Sequence, residues 1–124
     1  MQKLTPFQVP TTDGKKIYEH FGLASANFGD FSLAHMIAPP GWTEPNQTPD
    51  FDEFVVVVRG KLTLFLNDAP VVVGAGESVV APKGVKVRYA NTSDVDAEYM
   101  ALCMPAFRPD RVHRDVLDGE VPTA

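Results

Sequence analysis

Turn-forming residues interrupt this sequence so often that long helices have little room. Eleven prolines and nine glycines are scattered through the 124 residues, and the stretches between them are rich in valine, phenylalanine, tyrosine and leucine. Proline breaks a helix because it lacks the backbone donor, and glycine favours tight turns. Short apolar segments separated by such turns are typical of an all-β sandwich or barrel.

The same pattern predicts a series of short antiparallel strands. The best candidates are residues 31–37, 54–59, 61–66, 78–81, 85–90 and 98–104, with shorter ones at 8–9 and 16–18. Asn67 and Asp68 form a polar pair that predicts a hairpin onto the valines at 71–73. The valines at 55–58 show no alternation, so we expect this strand to be covered on both faces. A short helical turn is predicted around 110–117.

Length and composition favour a single domain over residues 1–124. Hydrophobic residues make up 44% of the chain, which is enough for a chain of this size to build a core. The longest unbroken apolar run has six residues, at 99–104, whereas about 18 are needed to cross a bilayer as a helix. The N-terminal residues lack the apolar stretch of a signal peptide. We therefore expect no membrane association and a cytoplasmic protein.

Charge and cysteine content exclude further classes. The net charge is −5, and the 11 basic residues form neither a block nor a stripe, so nucleic acid is not an expected partner. No lysine or arginine occurs between residues 17 and 58, which makes this part of the chain acidic. The single Cys103 can form neither an internal disulfide nor a zinc cluster. Because it lies in an apolar strand, we expect a reduced core thiol rather than a nucleophile.

Turn residues and one carboxylate recur at fixed spacings in the middle of the chain. Gly41 and Glu53 precede Gly60, with six residues between the last two, followed by Gly76, five residues, Pro82, one residue, Gly84 and finally Asn91. This pattern resembles the two motifs of the cupin superfamily, with a motif core at 41–91 and a tail at 108–124. The resemblance implies a single-domain, RmlC-like jelly-roll β-barrel that forms a homodimer through apolar outer strands. Residues 41–54 and 105–107 look like a histidine-poor bacterial subgroup that includes the ethanolamine-utilisation cupins.

The resemblance also implies where a metal would bind. Three histidines and a glutamate hold a divalent metal in the barrel of the family, and here only Glu53 remains. Gln47, Pro49 and Val87 stand at the histidine positions, and two of them have no side-chain donor, whereas metal sites generally need about three protein ligands. No cofactor is therefore predicted at the usual site. A Mn, Fe, Ni or Zn ion would instead need an oxygen-rich set of Glu44, Gln47 and Glu53.

Polar side chains near these positions are the candidates for binding a ligand in the barrel. Glu53 enters an apolar strand, where a carboxylate needs a donor or a cation, and Glu44 and Gln47 lie on the preceding loop. Tyr89 shares strand parity with Val87 and is expected to face the barrel with it. Each candidate has an ordinary alternative, which is solvent exposure for the two glutamates and the glutamine and core packing for the tyrosine.

Three further features leave alternatives open. His35 alternates with apolar residues along 31–37, so it is either a ligand-binding residue or, as is commoner, a hydrogen-bonded core residue. Asp50 and Asp52 are expected to be solvated unless they crowd the neighbouring glutamate, in which case they would raise its pKa. Trp42 either caps the barrel mouth or packs at a subunit interface, and interface packing is the simpler expectation.

Three functional hypotheses follow. The first and favoured one is a small-molecule-binding protein that holds a small polar or cationic metabolite in the barrel without a metal, because an acidic mouth attracts cations. The second is a metal-dependent enzyme of isomerase, lyase or dioxygenase type that uses the oxygen-rich ligand set. The third is a structural or regulatory dimer whose barrel is filled by its own side chains. Whether the protein is an enzyme is left open by the sequence.

Overall fold

Two antiparallel β-sheets form the architecture of residues 3–115, the part of the chain that the computed structural model describes. The strands are β1 (Phe7–Val9), β2 (Lys16–Phe21), β3 (Ser32–Ala38), β4 (Asp52–Arg59), β5 (Lys61–Leu66), β6 (Ala69–Gly74), β7 (Ser78–Ala81), β8 (Val87–Ala90) and β9 (Ala97–Met104). A four-residue helix, α1 (Leu23–Ala26), and a 3-10 turn at Pro109–Arg111 complete the regular elements. The predicted all-β class is confirmed.

The strand order is that of a two-layered jelly-roll barrel. The larger sheet runs β1-β2-β3-β9-β4-β7, and the smaller one runs β6-β5-β8. Neighbouring strands pair antiparallel throughout. Strands that are distant in sequence, such as β3 and β9, lie side by side, and their inner faces form the wall of the barrel interior.

Turn chemistry explains where the strands reverse. Gly60 joins β4 to β5 with a φ of +74°, and a Cβ at this position would collide with the backbone oxygen of Asp96. Only glycine meets both demands. Asn67 and Asp68 have φ values of 49° and 69°, as a two-residue hairpin turn requires, and they join β5 to β6 as predicted.

The hydrophobic core lies between the two sheets and covers only one face of β4. Val55 and Val57 are at most 1% exposed, whereas Val56 is 47% and Val58 is 53% exposed. The prediction that both faces of this strand are covered is therefore wrong for the chain by itself. Side chains alternate along a strand, and only the inner face has a second layer to pack against. The outer face of the larger sheet is left apolar and open.

Two other expectations need adjustment. β8 begins at residue 87 rather than at 85, because the backbone N–H of Val85 closes a turn onto the carbonyl of Pro82. The helical turn predicted at 110–117 lies partly outside the described residues, and within them a 3-10 turn ends at Arg111. Among the described residues, no helix is long and apolar enough to cross a membrane.

Candidate functional site

A cavity of about 130 Å³ lies inside the barrel beside the hydrophobic core. Its walls come from alternate residues of two central strands: β3 contributes Ser32, Ala34 and Met36, and β9 contributes Tyr99, Ala101 and Cys103. Tyr99 and Cys103 of β9 therefore face inward, whereas Met100 and Leu102 do not line the cavity. The remaining polar lining residues are Lys15, Glu19, Glu44, Gln47, Glu53, Tyr89 and Arg114.

Residues 42–47 run beside β8 as an irregular strand, which explains why two loop residues reach the cavity. Gln47 exchanges two backbone hydrogen bonds with Val87, at 2.9 and 2.8 Å, and the N–H of Asn91 bonds to the carbonyl of Trp42 at 2.8 Å. This pairing turns the side chains of Glu44 and Gln47 into the barrel. There the amide Nε2 of Gln47 donates to Oε1 of Glu44 at 3.1 Å.

The closed cluster, which we define as Glu53, Tyr89 and Cys103, is a buried polar group with its hydrogen bonds made. The Tyr89 hydroxyl donates to one carboxylate oxygen of Glu53, and the Cys103 thiol donates to the other at 3.2 Å. All three residues are at most 8% exposed. Burial, and then the Glu53 carboxylate, raise the pKa of Tyr89 and of Cys103 above their usual values. Both groups therefore stay protonated and remain donors at neutral pH.

The closed cluster also decides whether the family's metal would fit here. Pro49 and Val87, at two of the histidine positions, have no side-chain donor. Both oxygens of Glu53 already accept hydrogen bonds from Tyr89 and Cys103. Among residues 3–115, no group of three or more histidine, cysteine or acidic residues is arranged to hold a metal ion. The donor set does not fit the usual cupin metal site.

The open cluster, which we define as Lys15, Glu44 and Tyr99, lines the same cavity, and among the described residues only its Glu44 makes a side-chain hydrogen bond, with Gln47. Tyr99 is 0% exposed, and its hydroxyl has no hydrogen-bond partner among the described residues. A buried polar group left without a partner costs about 1–3 kcal/mol. Such a group lining a cavity is a place where a ligand atom would be accepted.

Lys15 reaches the cavity from the loop between β1 and β2. Its residue is 8% exposed, and its Nζ lies 4.3 Å from the ring centroid of Trp42 and 5.2 Å from that of Tyr99. Burial lowers its pKa, and the nearby Glu44, Glu53 and Asp13 carboxylates only partly oppose this effect. The amine is therefore easier to deprotonate than that of an exposed lysine.

Glu44 is the acidic member of the open cluster. Burial raises its pKa to about 7. The nearby Lys15 opposes this rise, and the Glu53 carboxylate contributes to it. A carboxyl group with this pKa is present in both protonation states near neutral pH, which suits it to give or take a proton. The structure thus places an amine, a phenol and a carboxyl group with a near-neutral pKa around one small space.

Four of the five residues proposed from sequence as ligand-binding lie at this cavity, and one does not. Glu44, Gln47, Glu53 and Tyr89 all line it. His35 is on the opposite face of β3, where its Nε2 pairs with Oε2 of Glu98 at 2.7 Å and its ring stacks on Tyr18. Strand parity explains the difference, because Ala34 and Met36 take the inward positions on either side of it. The expectation that His35 lines the barrel is wrong.

The expectation for Trp42 is corrected here, whereas the expectation that Asp50 and Asp52 do not crowd Glu53 is confirmed. Trp42 is 5% exposed and lies in the core of its own chain, where its Nε1 donates to Oδ2 of Asp13 at 2.7 Å, so it does not pack at a surface. Asp50 and Asp52 do not crowd Glu53. They bond instead to the His113 ring at 2.5 Å and to the backbone N–H of Lys83 at 3.0 Å.

Sequence reasoning missed three charged residues that line the cavity, namely Lys15, Glu19 and Arg114. Nothing in the local sequence separates Lys15 from the adjacent Lys16, which is exposed, except that the loop starts with an aspartate and a glycine. The alternation of side chains along β2 was the one usable signal. Lys15 lies two positions before the inward-facing Ile17, so it is expected to face inward as well. Arg114 reaches the mouth because residues 111–115 pair with residues 46–50 of the loop, a long-range contact that no local pattern shows.

Comparison with known proteins agrees with this architecture. A family model described as "Cupin domain" matches residues 34–104. Protein SchB of Streptomyces halstedii is 33% identical over 93 residues, covering 74% of this chain and 67% of SchB. A Myxococcus xanthus protein named "Endoribonuclease YbeY" is 41% identical over 107 residues, but these cover 86% of this chain and 36% of that protein. The chain thus spans about a third of the length of this second relative.

Solved structures show the same fold at low identity. The polyketide cyclase RemF from Streptomyces resistomycificus superposes with a TM-score of 0.74 at 16% identity, covering 96% of this chain and 89% of RemF. The EutQ protein of Clostridium difficile superposes with a TM-score of 0.59 at 21% identity, covering 74% and 70%. At these identities the likeness shows the fold alone.

Proposed function

Because this chain belongs to the cupin domain family and its barrel positions no histidine in the cavity, we propose that it binds a small oxygenated organic molecule directly, without a metal. The observation that carries this proposal is Tyr99, a residue that lines the cavity and whose hydroxyl is buried with no partner among the described residues. A ligand oxygen that accepts its hydrogen bond would remove this energetic cost.

The size of the cavity limits the part of the ligand that it can enclose. A protein cavity of about 150 Å³ holds one benzene molecule, and this one measures about 130 Å³. One six-membered ring or its equivalent therefore fits. The aromatic faces of Tyr89 and Tyr99, whose ring centroids are 6.4 Å apart, supply apolar contact.

The charges around the cavity favour an acceptor-bearing ligand over the cationic metabolite expected from sequence. Lys15 and Arg114 both line the space, so the acidic residues of the mouth do not act alone. The Glu53 carboxylate is already engaged by the closed cluster. The donors that the cavity still offers are an amine, a phenol and the protonated form of Glu44. Carbonyl and hydroxyl groups match this set.

The names of neighbouring proteins are compatible with such a ligand. RemF is described as a polyketide cyclase, and polyketides are chains that carry carbonyl and hydroxyl oxygens. This neighbour supports an oxygenated organic ligand as a class and does not identify a particular compound.

The experiment is a thermal-shift screen of the protein with single-ring phenols and cyclic ketones, together with cyclic amines of the same size as cationic counterparts. We expect stabilisation by the oxygenated rings, loss of at least about tenfold in affinity in Tyr99→Phe, and no loss in Tyr18→Phe. Tyr18 is the matched control because it lies on the outer face against His35. Preferential binding of the amines, or equal affinity in both variants, would contradict the proposal.

A homodimer through the outer face of the larger sheet also remains our proposal. Phe54, Val56 and Val80 are 40%, 47% and 49% exposed on adjacent strands of that sheet. Contiguous apolar surface of this kind marks interaction sites. Light scattering of the wild type and of Val56→Lys tests it, and we expect the substitution to halve the mass. An unchanged mass, or a wild-type monomer, would rule out this face.

A further inference from the structure

Lys15 is a buried nucleophile that a binding function alone does not require. We propose that its amine forms a covalent imine with the carbonyl carbon of an aldehyde or ketone held in the cavity. This inference rests on the proposed function, because the carbonyl compound must first enter the barrel. It adds a chemical class for the ligand and a covalent step.

The first support is that the amine is buried at the cavity without an anionic partner in contact. Its residue is 8% exposed, and no salt bridge of Lys15 within 4.0 Å occurs among the described residues. Lysines are almost never buried unless they are paired. An amine without a carboxylate in contact keeps its lone pair available once it loses its proton.

The second support is the way in which the loop positions this side chain. The Lys15 N–H donates to Oδ1 of Asp13 at 3.2 Å, and its carbonyl accepts from the Thr11 hydroxyl at 2.5 Å. The other oxygen of Asp13 accepts from the Trp42 indole at 2.7 Å. One carboxylate therefore connects the backbone of Lys15 to the Trp42 ring, and the lysine amine lies over that ring, 4.3 Å from its centroid.

The third support is the electrostatic environment, which favours both the reacting and the product states. Burial lowers the pKa of Lys15, which Arg114 lowers further, while Glu44, Glu53 and Asp13 act in the opposite direction. A desolvated lysine of this kind is the usual form of imine-forming lysines. The product iminium is a cation, and the Trp42 face 4.3 Å from the amine would stabilise it as it does the ammonium group.

The other members of the open cluster supply the remaining steps. The Lys15 nitrogen attacks the carbonyl carbon, so that a C–N bond forms while the carbonyl π pair moves to oxygen, which accepts a hydrogen bond from Tyr99. A proton passes from nitrogen to this oxygen and gives a carbinolamine. Glu44 in its acid form then protonates the hydroxyl group, which leaves as water as the C=N bond forms. The sum is amine plus carbonyl plus one proton, giving iminium plus water.

The experiment traps the imine by reduction. Wild-type protein is incubated at pH 7 with benzaldehyde or with cyclohexanone, reduced with sodium borohydride and mapped by peptide mass spectrometry. The chain contains its own controls, because Lys16 is adjacent and exposed. We expect at least about tenfold more adduct on Lys15 than on Lys16, since a lower pKa leaves more free amine. The Lys15→Arg variant should lose the adduct, and Lys16→Arg should keep it.

The outcomes separate this inference from the proposed function. Binding of cyclohexanone by thermal shift, with Lys15 modified no more than Lys16, would overturn the imine and leave the binding proposal standing. Absence of both binding and adduct with every probe would overturn both. The comparison of two lysines within the wild-type protein keeps the test decisive even if Lys15→Arg fails to fold.

Discussion

The closed and open clusters share one cavity yet differ in how their polar groups are satisfied. In the closed cluster, both oxygens of Glu53 accept a hydrogen bond, from Tyr89 and from Cys103. In the open cluster, the Tyr99 hydroxyl has no partner among the described residues and the Lys15 amine has no carboxylate in contact. Satisfied networks stabilise and rigidify a barrel, whereas unsatisfied groups reduce its stability. The contrast supports our proposal that the closed cluster maintains the architecture and that the open cluster binds the ligand.

The closed cluster occupies the position of the metal site in the cupin motif. Glu53 is the one metal-ligand position of the cupin motif that this chain keeps, and its carboxylate now accepts hydrogen bonds from a tyrosine and a cysteine on β8 and β9. The two donors do structurally what a cation would do, because they compensate a buried carboxylate. In our proposal the chemistry involves Lys15 and Glu44, which line the same cavity.

The largest expected effect is a difference in stability between the phenylalanine variants of Tyr89 and Tyr99. Tyr89→Phe leaves an oxygen of Glu53 buried without its donor, so we expect a loss of about 2–3 kcal/mol in the free energy of unfolding. Tyr99→Phe removes a hydroxyl that has no partner and should leave stability unchanged or raise it by up to about 1 kcal/mol. Urea denaturation of both variants measures the difference. Equal losses in the two variants would mean that the clusters do not differ as described.

A second prediction concerns the pH dependence that Glu44 imposes. Its pKa in the folded protein is about 7, raised from 4.5 mainly by burial, so the folded state binds more protons than the unfolded state between these values. Stability should therefore fall as the pH rises from about 4.5 to 7. Glu44→Gln removes this effect. We expect the variant to be about 1–2 kcal/mol more stable than wild type at pH 8 and equal to it near pH 4, once partial exposure and the lost attraction to Lys15 are discounted.

Urea unfolding at pH 4 and pH 8 provides the measurement. A Glu44→Gln variant whose advantage over wild type does not change with pH would show that the carboxyl group of Glu44 titrates normally.

The sequence predicted the barrel better than it predicted the site. Spacing of turn residues from Gly41 to Asn91 identified the fold through its resemblance to the cupin motifs, and glycine and proline carry this signal because they favour particular local backbone conformations. Strand parity correctly placed Tyr89 on the same buried face as Val87. Strand parity could not predict which face of its strand carries His35, because apolar residues occur on both the inner and the outer face.

The members of the open cluster were hidden for different reasons. Lys15 is separated by 29 positions from Glu44 and by 84 from Tyr99, and only the folded sheets bring them to one space. Composition even pointed the other way, because the acidic stretch between residues 17 and 58 suggested a cation-binding mouth. Lys15, which brings a positive charge to the same cavity, lies just before this stretch in the sequence.

A smaller effect is expected at Cys103. Cys103→Ala removes a weak donor to Glu53 and leaves a small void, so we expect a loss of about 1 kcal/mol, less than in Tyr89→Phe because a thiol is a weaker donor than a phenol. In the native wild type, iodoacetamide should modify Cys103 at least about tenfold more slowly than in urea, since burial raises the thiol pKa. Rapid modification in the native state would show that the closed cluster opens to solvent.

The smallest effect is expected at the surface contact that lies beside the mouth. His113 pairs with Asp50 at 2.5 Å, but the two side chains are 53% and 62% exposed, and exposed ion pairs contribute about 0–1 kcal/mol. Backbone bonds hold the same segment in place, from Asp50 N–H to the Arg111 carbonyl at 2.8 Å and from Thr48 N–H to the His113 carbonyl at 3.2 Å. We therefore expect His113→Gln to change stability by less than about 0.5 kcal/mol and to leave ring binding unaltered. A loss of binding in this variant would move recognition from the open cluster to the segment that carries Arg114.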